Sequence, residues 1–150
     1  MGVSMGVLMG VRKQVAMTRI GLIGCGMWGR NLARNLASLG ALAAVADQND
    51  DRATGFAEEF GTSAMPVGRL LGEADLDGVV IATAAPTHAG LALTALAAGL
   101  HVYVEKPFAI TLAEAERMAA AAAAAGRQMM VGHLIRYHDA FLELQAQVGS

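Results

Sequence analysis

Cysteine is almost missing from this chain. Among 150 residues there is one, Cys25, which excludes an internal disulfide framework and a multi-cysteine zinc site and suits a reducing, cytoplasmic location. Charge is sparse as well: Asp, Glu, Lys and Arg make up 16% of the residues and the net charge is −2. With no Lys/Arg-rich run, nothing in that balance calls for a nucleic-acid partner. No apolar stretch reaches the roughly 20 residues of a membrane-spanning helix, so no membrane partner is expected. No H-E-x-x-H or similar spacing marks a metal site. Neither a Pro- or Ser-rich linker nor an internal repeat interrupts the chain. What is abundant is apolar: 55% of residues, a globular balance with enough chain for one domain and a real core.

Residues 1–17, MGVSMGVLMGVRKQVAM, read as a disordered leader or as sequence upstream of a start at Met17. Arg12 and Lys13 follow the apolar stretch, whereas a secretory signal places its charges first. From Thr18 onward, short apolar runs alternate with helical patterns. Strands are expected at 19–23, 41–46, 63–66, 78–83, 101–104 and 128–131. Helices are expected at 27–39, 52–60, 67–72, 87–98, 111–125 and 137–148. Leu32, Leu36 and Leu39 share one helical face, and Gly40, Gly61, Gly99 and Gly126 stand where helices commonly end. Thr111 with Glu114 three residues on is a capping-box pattern. Val79–Ala82 is a continuous apolar run that suits a parallel strand buried on both faces. Short joins between such elements imply an α/β fold, a doubly wound and mostly parallel Rossmann sheet with right-handed crossovers. Residues 18–132 would form this dinucleotide-binding domain, and 133–150 would begin a connection.

The motif with most chemical content is Gly24-Cys25-Gly26-Met27-Trp28-Gly29, which follows a strand and opens a helix. Gly24 makes the tight turn, Gly26 lets a diphosphate approach the backbone, and Gly29 lets helix and strand pack closely. The N–H groups at the helix start, around Met27 and Trp28, would face the anion. Cys25 reads as a small space-filling residue. Asp47 ends the second strand at roughly the 20-residue offset where a carboxylate meets the adenosine ribose hydroxyls. A carboxylate there repels a 2′-phosphate, and Gln48, Asn49, Asp50 and Asp51 follow it with no basic residue. NAD is therefore expected over NADP. Asp47 could alternatively start a turn.

Thr83 and Pro86 lie just past the carboxyl end of the buried strand, where open α/β sheets bind ligands; Thr83 is expected to touch the cofactor. His88, in the first turn of the next helix, reads either as structural or as part of that site. Glu105-Lys106-Pro107 ends the next strand, where a buried Glu or Lys is costly unless paired or functional. A Lys there can move protons; from spacing alone a surface ion pair is the default. His133 stands at another strand end, while Arg136, Tyr137 and His138 could equally be helix-surface groups. Arg30 and Arg34 read as a solvated helix face.

Several ordered segments, GCGMWGRNLARN, VVIATAAPTH, VEKPFAITLAEA and VGHLIRYHDA, together resemble the amino-terminal domain of the Gfo/Idh/MocA oxidoreductases, from about Arg19 to the end of the chain. The resemblance implies an NAD(P)-dependent dehydrogenase of sugars, with hydride passing from a carbinol carbon to nicotinamide. It implies that Lys106 is the catalytic lysine, assisting proton transfer from the reacting hydroxyl. It also implies that Glu105 lies near the nicotinamide ribose and that the Lys106–Pro107 bond is cis. The wording looks most like members that oxidise nucleotide-activated sugars. Ala85 and Asp139 stand where the family commonly has proline. Family members carry a second α/β domain that supplies most substrate contacts and the oligomer interface; that domain is largely absent from this chain. A surface left by its absence should be apolar, so self-association is expected. Two other readings stay open: a non-catalytic dinucleotide-binding module or inactive fragment, and a methyltransferase using a similar glycine turn.

Overall fold

The computed structural model describes residues 17–72 and 74–148. The reading of residues 1–17 as a leader falls, apart from Met17, outside them. The apolar runs become strands β1 (Ile20–Ile23), β2 (Leu42–Ala46), β3 (Ser63–Ala64), β4 (Gly78–Ile81), β5 (His101–Val104) and β6 (Met129–Val131). Neighbours pair in parallel throughout, in the order β3-β2-β1-β4-β5-β6. This is the doubly wound sheet that the alternation implied. The order reverses between β1 and β4, so the connections leaving their carboxyl ends part and open a crevice.

The helices are α1 (Met27–Ser38), α2 (Asp50–Phe60), α3 (Val67–Gly72), α4 (His88–Ala97), α5 (Leu112–Ala125) and α6 (Asp139–Val148). The period-two alternation of strand side chains divides them between two cores. Leu22, Val45 and Val80 pack with Ala33 of α1 and Phe56 and Ala57 of α2. Ile23, Ala46, Val79 and Ile81 pack on the opposite face with Leu70 of α3, Leu96 of α4 and Met118 of α5. All of β4 is buried, as a central strand covered on both faces must be. Each Val or Ile buried there contributes about 1.5–3 kcal/mol.

Local chemistry explains where elements depart from the sequence expectation. Helix α2 begins at Asp50, two residues early, because the Asn49 side chain accepts from the Arg52 N–H at 2.9 Å. Asp50 and Asp51 then sit in the first turn, where negative charge complements the helix dipole. Strand β3 is two residues, not four; Pro66 has no N–H with which to extend the ladder. A 3-10 turn, Ala85–Thr87, with Pro86 near its start, precedes α4, and another, Leu134–Tyr137, precedes α6. Helix α5 forms as its sequence signals: Thr111 and Glu114 make a reciprocal capping box, and Gly126 closes the helix at φ 62°.

Candidate functional site

The glycine turn joins β1 to α1 at the point where the strand order reverses. Gly24 has φ +105°, and a Cβ there would lie 2.5 Å from the Ala82 carbonyl oxygen. A Cβ on Gly29 would run into the Gly24 carbonyl. Both glycines are thus imposed by close backbone approach. Gly26 differs: a Cβ there would meet nothing within 4 Å. The fold leaves that space open, as an approaching diphosphate requires. Gly26 is also the N-cap of α1, with no side-chain cap and no acidic residue in the first turn. The first N–H groups of the helix, including those of Met27 and Trp28, therefore remain available to an anion.

Asp47 directly follows β2, its carboxylate buried beside this turn. Oδ2 accepts from the Cys25 N–H at 2.8 Å, and Oδ1 from the Asn49 N–H at 2.9 Å. Asp47 therefore organises a turn and also lines the neighbouring cleft. Burial, then the Asp47 charge, pushes the Cys25 thiol up to about 12, against a smaller lowering by Arg52. Cys25 is thus a neutral filler, its Sγ 3.7 Å from the Ala46 carbonyl oxygen. A cleft of about 390 Å³ is lined by Gly24, Gly26, Asp47, Thr83 and Thr87, among others. The Thr83 and Thr87 hydroxyls are 2.7 Å apart, and Thr87 also donates to the Ala84 carbonyl. Pro86 is exposed at the start of its 3-10 turn and is not among the residues lining this cleft.

His88 lies beneath the cleft and not on its surface. It is 1% exposed, with Nδ1 2.8 Å from the Pro107 carbonyl oxygen and Nε2 3.1 Å from that of Thr83. Its ring bridges the segments leaving β4 and β5, with both ring nitrogens against backbone carbonyl oxygens. Position in the first turn of a helix could not distinguish these outcomes.

Glu105 is buried at the end of β5 and fully supplied with donors. Oε1 accepts from the Trp28 indole N–H at 2.6 Å and the Tyr103 hydroxyl at 2.9 Å. Oε2 accepts from the Lys106 backbone N–H at 3.1 Å. A buried carboxylate is tolerated when its lone pairs are met in this way. Burial, followed by the bond to Glu105, raises the Tyr103 hydroxyl above its ordinary range. The Trp28 bond ties the glycine turn directly to the Glu105-Lys106-Pro107 segment. The Lys106–Pro107 peptide is cis. The Lys106 side chain is exposed, and among the described residues its ammonium has no hydrogen-bond or ion-pair partner. A surface ion pair is therefore not what holds it.

Four participants were not singled out from sequence: Arg52, Tyr103, Thr87 and Gly132. Arg52 Nη1 stands 3.5 Å from Asp47 Oδ1; the first turn of α2 brings a basic residue back to Asp47 although none follows it directly. A Cβ on Gly132 would lie 2.6 Å from the Tyr103 hydroxyl oxygen and 2.8 Å from the Glu105 carboxyl. Arg30 pairs with Glu59 and lies over the Phe56 ring, and Arg34 donates to the Asn31 side chain. His133, Arg136, Tyr137 and His138 are exposed, with His138 Nδ1 accepting from the Ala140 N–H. Among the described residues no cluster of His, Cys, Asp and Glu could hold a metal ion.

The sequence and the fold have counterparts among known proteins. An inositol 2-dehydrogenase from Acidothermus cellulolyticus is 42% identical over 138 residues, covering 88% of this chain and 40% of that protein. A UDP-N-acetylglucosamine 3-dehydrogenase from Acidithiobacillus ferrooxidans is 38% identical over 128 residues, covering 85% and 40%. Its solved structure superposes with TM-score 0.82 over 87% of this chain and 42% of that one. A 3-ketoreductase from Actinomadura kijaniata, solved in complex with NADP and TDP-benzene, superposes with TM-score 0.83 at 29% identity, covering 89% and 42%. The chain thus spans about 40% of the length of the curated relatives it matches. The Gfo/Idh/MocA pattern, described as an oxidoreductase family with an NAD-binding Rossmann fold, matches residues 18–133, and the chain belongs to that family.

Proposed function

We propose that this chain is the cofactor-binding part of an NAD-dependent dehydrogenase of sugars or nucleotide-activated sugars. The observation that carries the reading is the hydrogen bond from Trp28 to Glu105. It joins the glycine turn to the residue preceding Lys106, which supports reading the two segments as parts of one site. The residues suit that cofactor: open space at Gly26, uncapped N–H groups at the start of α1, and a carboxylate at Asp47. Gly24, Gly26, Met27, Trp28 and Gly29 would hold the diphosphate, Asp47 the adenosine ribose, and Thr83 the path between the two ends. When bound, NAD supplies the acceptor for the hydride leaving the carbinol carbon.

The protein's own part is positioning and proton movement. Glu105, held by three donors, fixes the backbone at Lys106. Lys106 Nζ, as the neutral amine, would take the reacting hydroxyl's proton and become ammonium as hydride leaves the carbinol carbon and the carbonyl forms, a role general-base groups fill at about 10²–10⁴-fold in rate. The presence of Lys106 disfavours a module that only binds, since binding needs no such group. The relatives' names support sugars as substrates, with inositol and a UDP-linked amino sugar among them. The UDP-sugar enzyme supports the nucleotide-sugar reading, and the inositol enzymes support a free polyol equally.

Exposed Ile135, Tyr137, Leu144 and Val148 near the end of the described chain support self-association, which light scattering would reveal as a mass above the monomer. No helix among the described residues is long and apolar enough to cross a membrane, and the lone cysteine supports a cytoplasmic setting.

Lys106→Ala tests the catalytic role. NADH formation by this chain joined to a substrate domain should fall by about 10²–10⁴-fold, while NAD affinity changes little. Undiminished turnover would reject Lys106 as the proton-handling group.

A further inference from the structure

Trp28 serves two elements of the site at once. Its backbone N–H is among the uncapped donors in the first turn of α1. Its indole N–H leaves that turn and donates to Glu105 Oε1 at 2.6 Å. Strand β4 lies between β1 and β5 in the sheet, so the side chain crosses the gap from the glycine turn to the lysine segment.

The hydrogen bonds decide how the Glu105 carboxylate is held. Oε1 takes two donors, the Trp28 indole and the Tyr103 hydroxyl at 2.9 Å. Oε2 takes the Lys106 backbone N–H at 3.1 Å. A carboxylate offers about four acceptor positions, so Oε2 keeps one for a further donor. Rotation of the carboxylate would break both bonds to Oε1 in a residue that is buried, where a lost partner is costly. Gly132 packs against the Tyr103 hydroxyl and the Glu105 carboxyl and closes the space on that side. The strand order gives a bound dinucleotide its direction. Asp47 follows β2, the glycine turn follows β1, and Glu105 follows β5. With the adenosine at Asp47 and the diphosphate at the turn, the nicotinamide half runs toward β4 and β5, on the Glu105 side.

We propose that Trp28 is a positioning residue for the nicotinamide half of the cofactor, acting through Glu105. This rests on the cofactor reading given above. The backbone of Trp28 meets the diphosphate, while its indole holds Glu105 so that Oε2 accepts from a donor on the nicotinamide half. One residue thereby sets the glycine turn and the Glu105-Lys106 segment in register with each other. Phenylalanine at this position keeps the ring and the backbone N–H but leaves Oε1 to Tyr103 alone. The groups that meet the adenosine and the diphosphate stay in place.

The test is calorimetric titration of NAD and of ADP into the 150-residue chain and its Trp28→Phe, Glu105→Gln and doubly substituted variants. ADP carries the adenosine and the diphosphate but lacks the nicotinamide half. Trp28→Phe should weaken NAD about tenfold and ADP less than about twofold, as loss of one hydrogen bond to a charged group allows. Glu105→Gln should also weaken NAD relative to ADP. In that background Trp28→Phe should cost little more, because both changes act on one contact. Should Glu105→Gln fail to fold, Tyr103→Phe takes its place: it removes the other donor to Oε1 without touching the turn, and NAD should again weaken relative to ADP. An NAD-to-ADP affinity ratio unmoved by Trp28→Phe overturns the proposal. So do losses that add in the double variant, since the indole would then act without Glu105. Either result leaves the cofactor reading intact, whereas no binding of either nucleotide by the unsubstituted chain overturns both.

Discussion

Gly26→Ala separates the folding role of the glycine turn from its binding role. Gly26 has φ −83°, a conformation alanine adopts freely, and its added Cβ would meet nothing within 4 Å. Alanine is a poorer N-cap than glycine, but it also restricts the unfolded chain, and these effects oppose each other at about 0.5 kcal/mol each. Stability should therefore stay within about 0.5 kcal/mol. Gly24→Ala is the contrasting case. Its φ of +105° costs an L-residue about 1–2 kcal/mol, and a Cβ 2.5 Å from the Ala82 carbonyl oxygen adds about 1–3 kcal/mol of overpacking. Urea unfolding followed by circular dichroism should separate the two variants by about 2–5 kcal/mol. Titration of folded Gly26→Ala with NAD should show at least about a tenfold loss of affinity, because the methyl group occupies space left for the diphosphate. A Gly26→Ala protein that binds NAD like the parent would refute the cradle. One that unfolds as readily as Gly24→Ala would refute the open space.

Trp28→Phe removes one of the donors to Glu105 but keeps an aromatic ring. The indole is 43% exposed, so the loss should be about 1 kcal/mol, below the usual value for a buried hydrogen bond to a charged group; a urea midpoint unchanged within error would mean the bond contributes nothing. Alkaline unfolding should also carry the signature of Cys25. Its folded value is raised to about 12 from 9.0, so the native state holds the proton longer than the unfolded chain does. The associated stability is complete below pH 9.0 and declines as pH rises toward about 12. Cys25→Ala should flatten that decline, leaving the part due to Tyr103, which has the same sign; an identical slope in both proteins would contradict it.

Much of the fold was legible because local signals agreed with one another. The Thr111–Glu114 capping box and Gly126 bounded α5 from sequence and again in structure. The apolar run at β4 marked the central strand, buried at every position. Less legible were features that depend on a partner distant in the chain. Tyr103 alternates as a strand aromatic should, yet its importance lies in a hydroxyl directed at Glu105. The constraint at Gly132 exists only because those two side chains pass over it. Arg52 was hidden because the reading stopped at the residues adjoining Asp47, while the Asn49 cap starts α2 early enough to bring its guanidinium back. His88 was ambiguous for the same reason: its two carbonyl partners lie on segments 5 and 19 residues away.

The most direct measurement is calorimetric titration of NAD into the unsubstituted chain. The expected result is saturable binding of one NAD per chain, tighter than that of NADP and lost with Gly26→Ala. An absence of heat and of any thermal stabilisation by either nucleotide, in a chain shown to be folded, would contradict it.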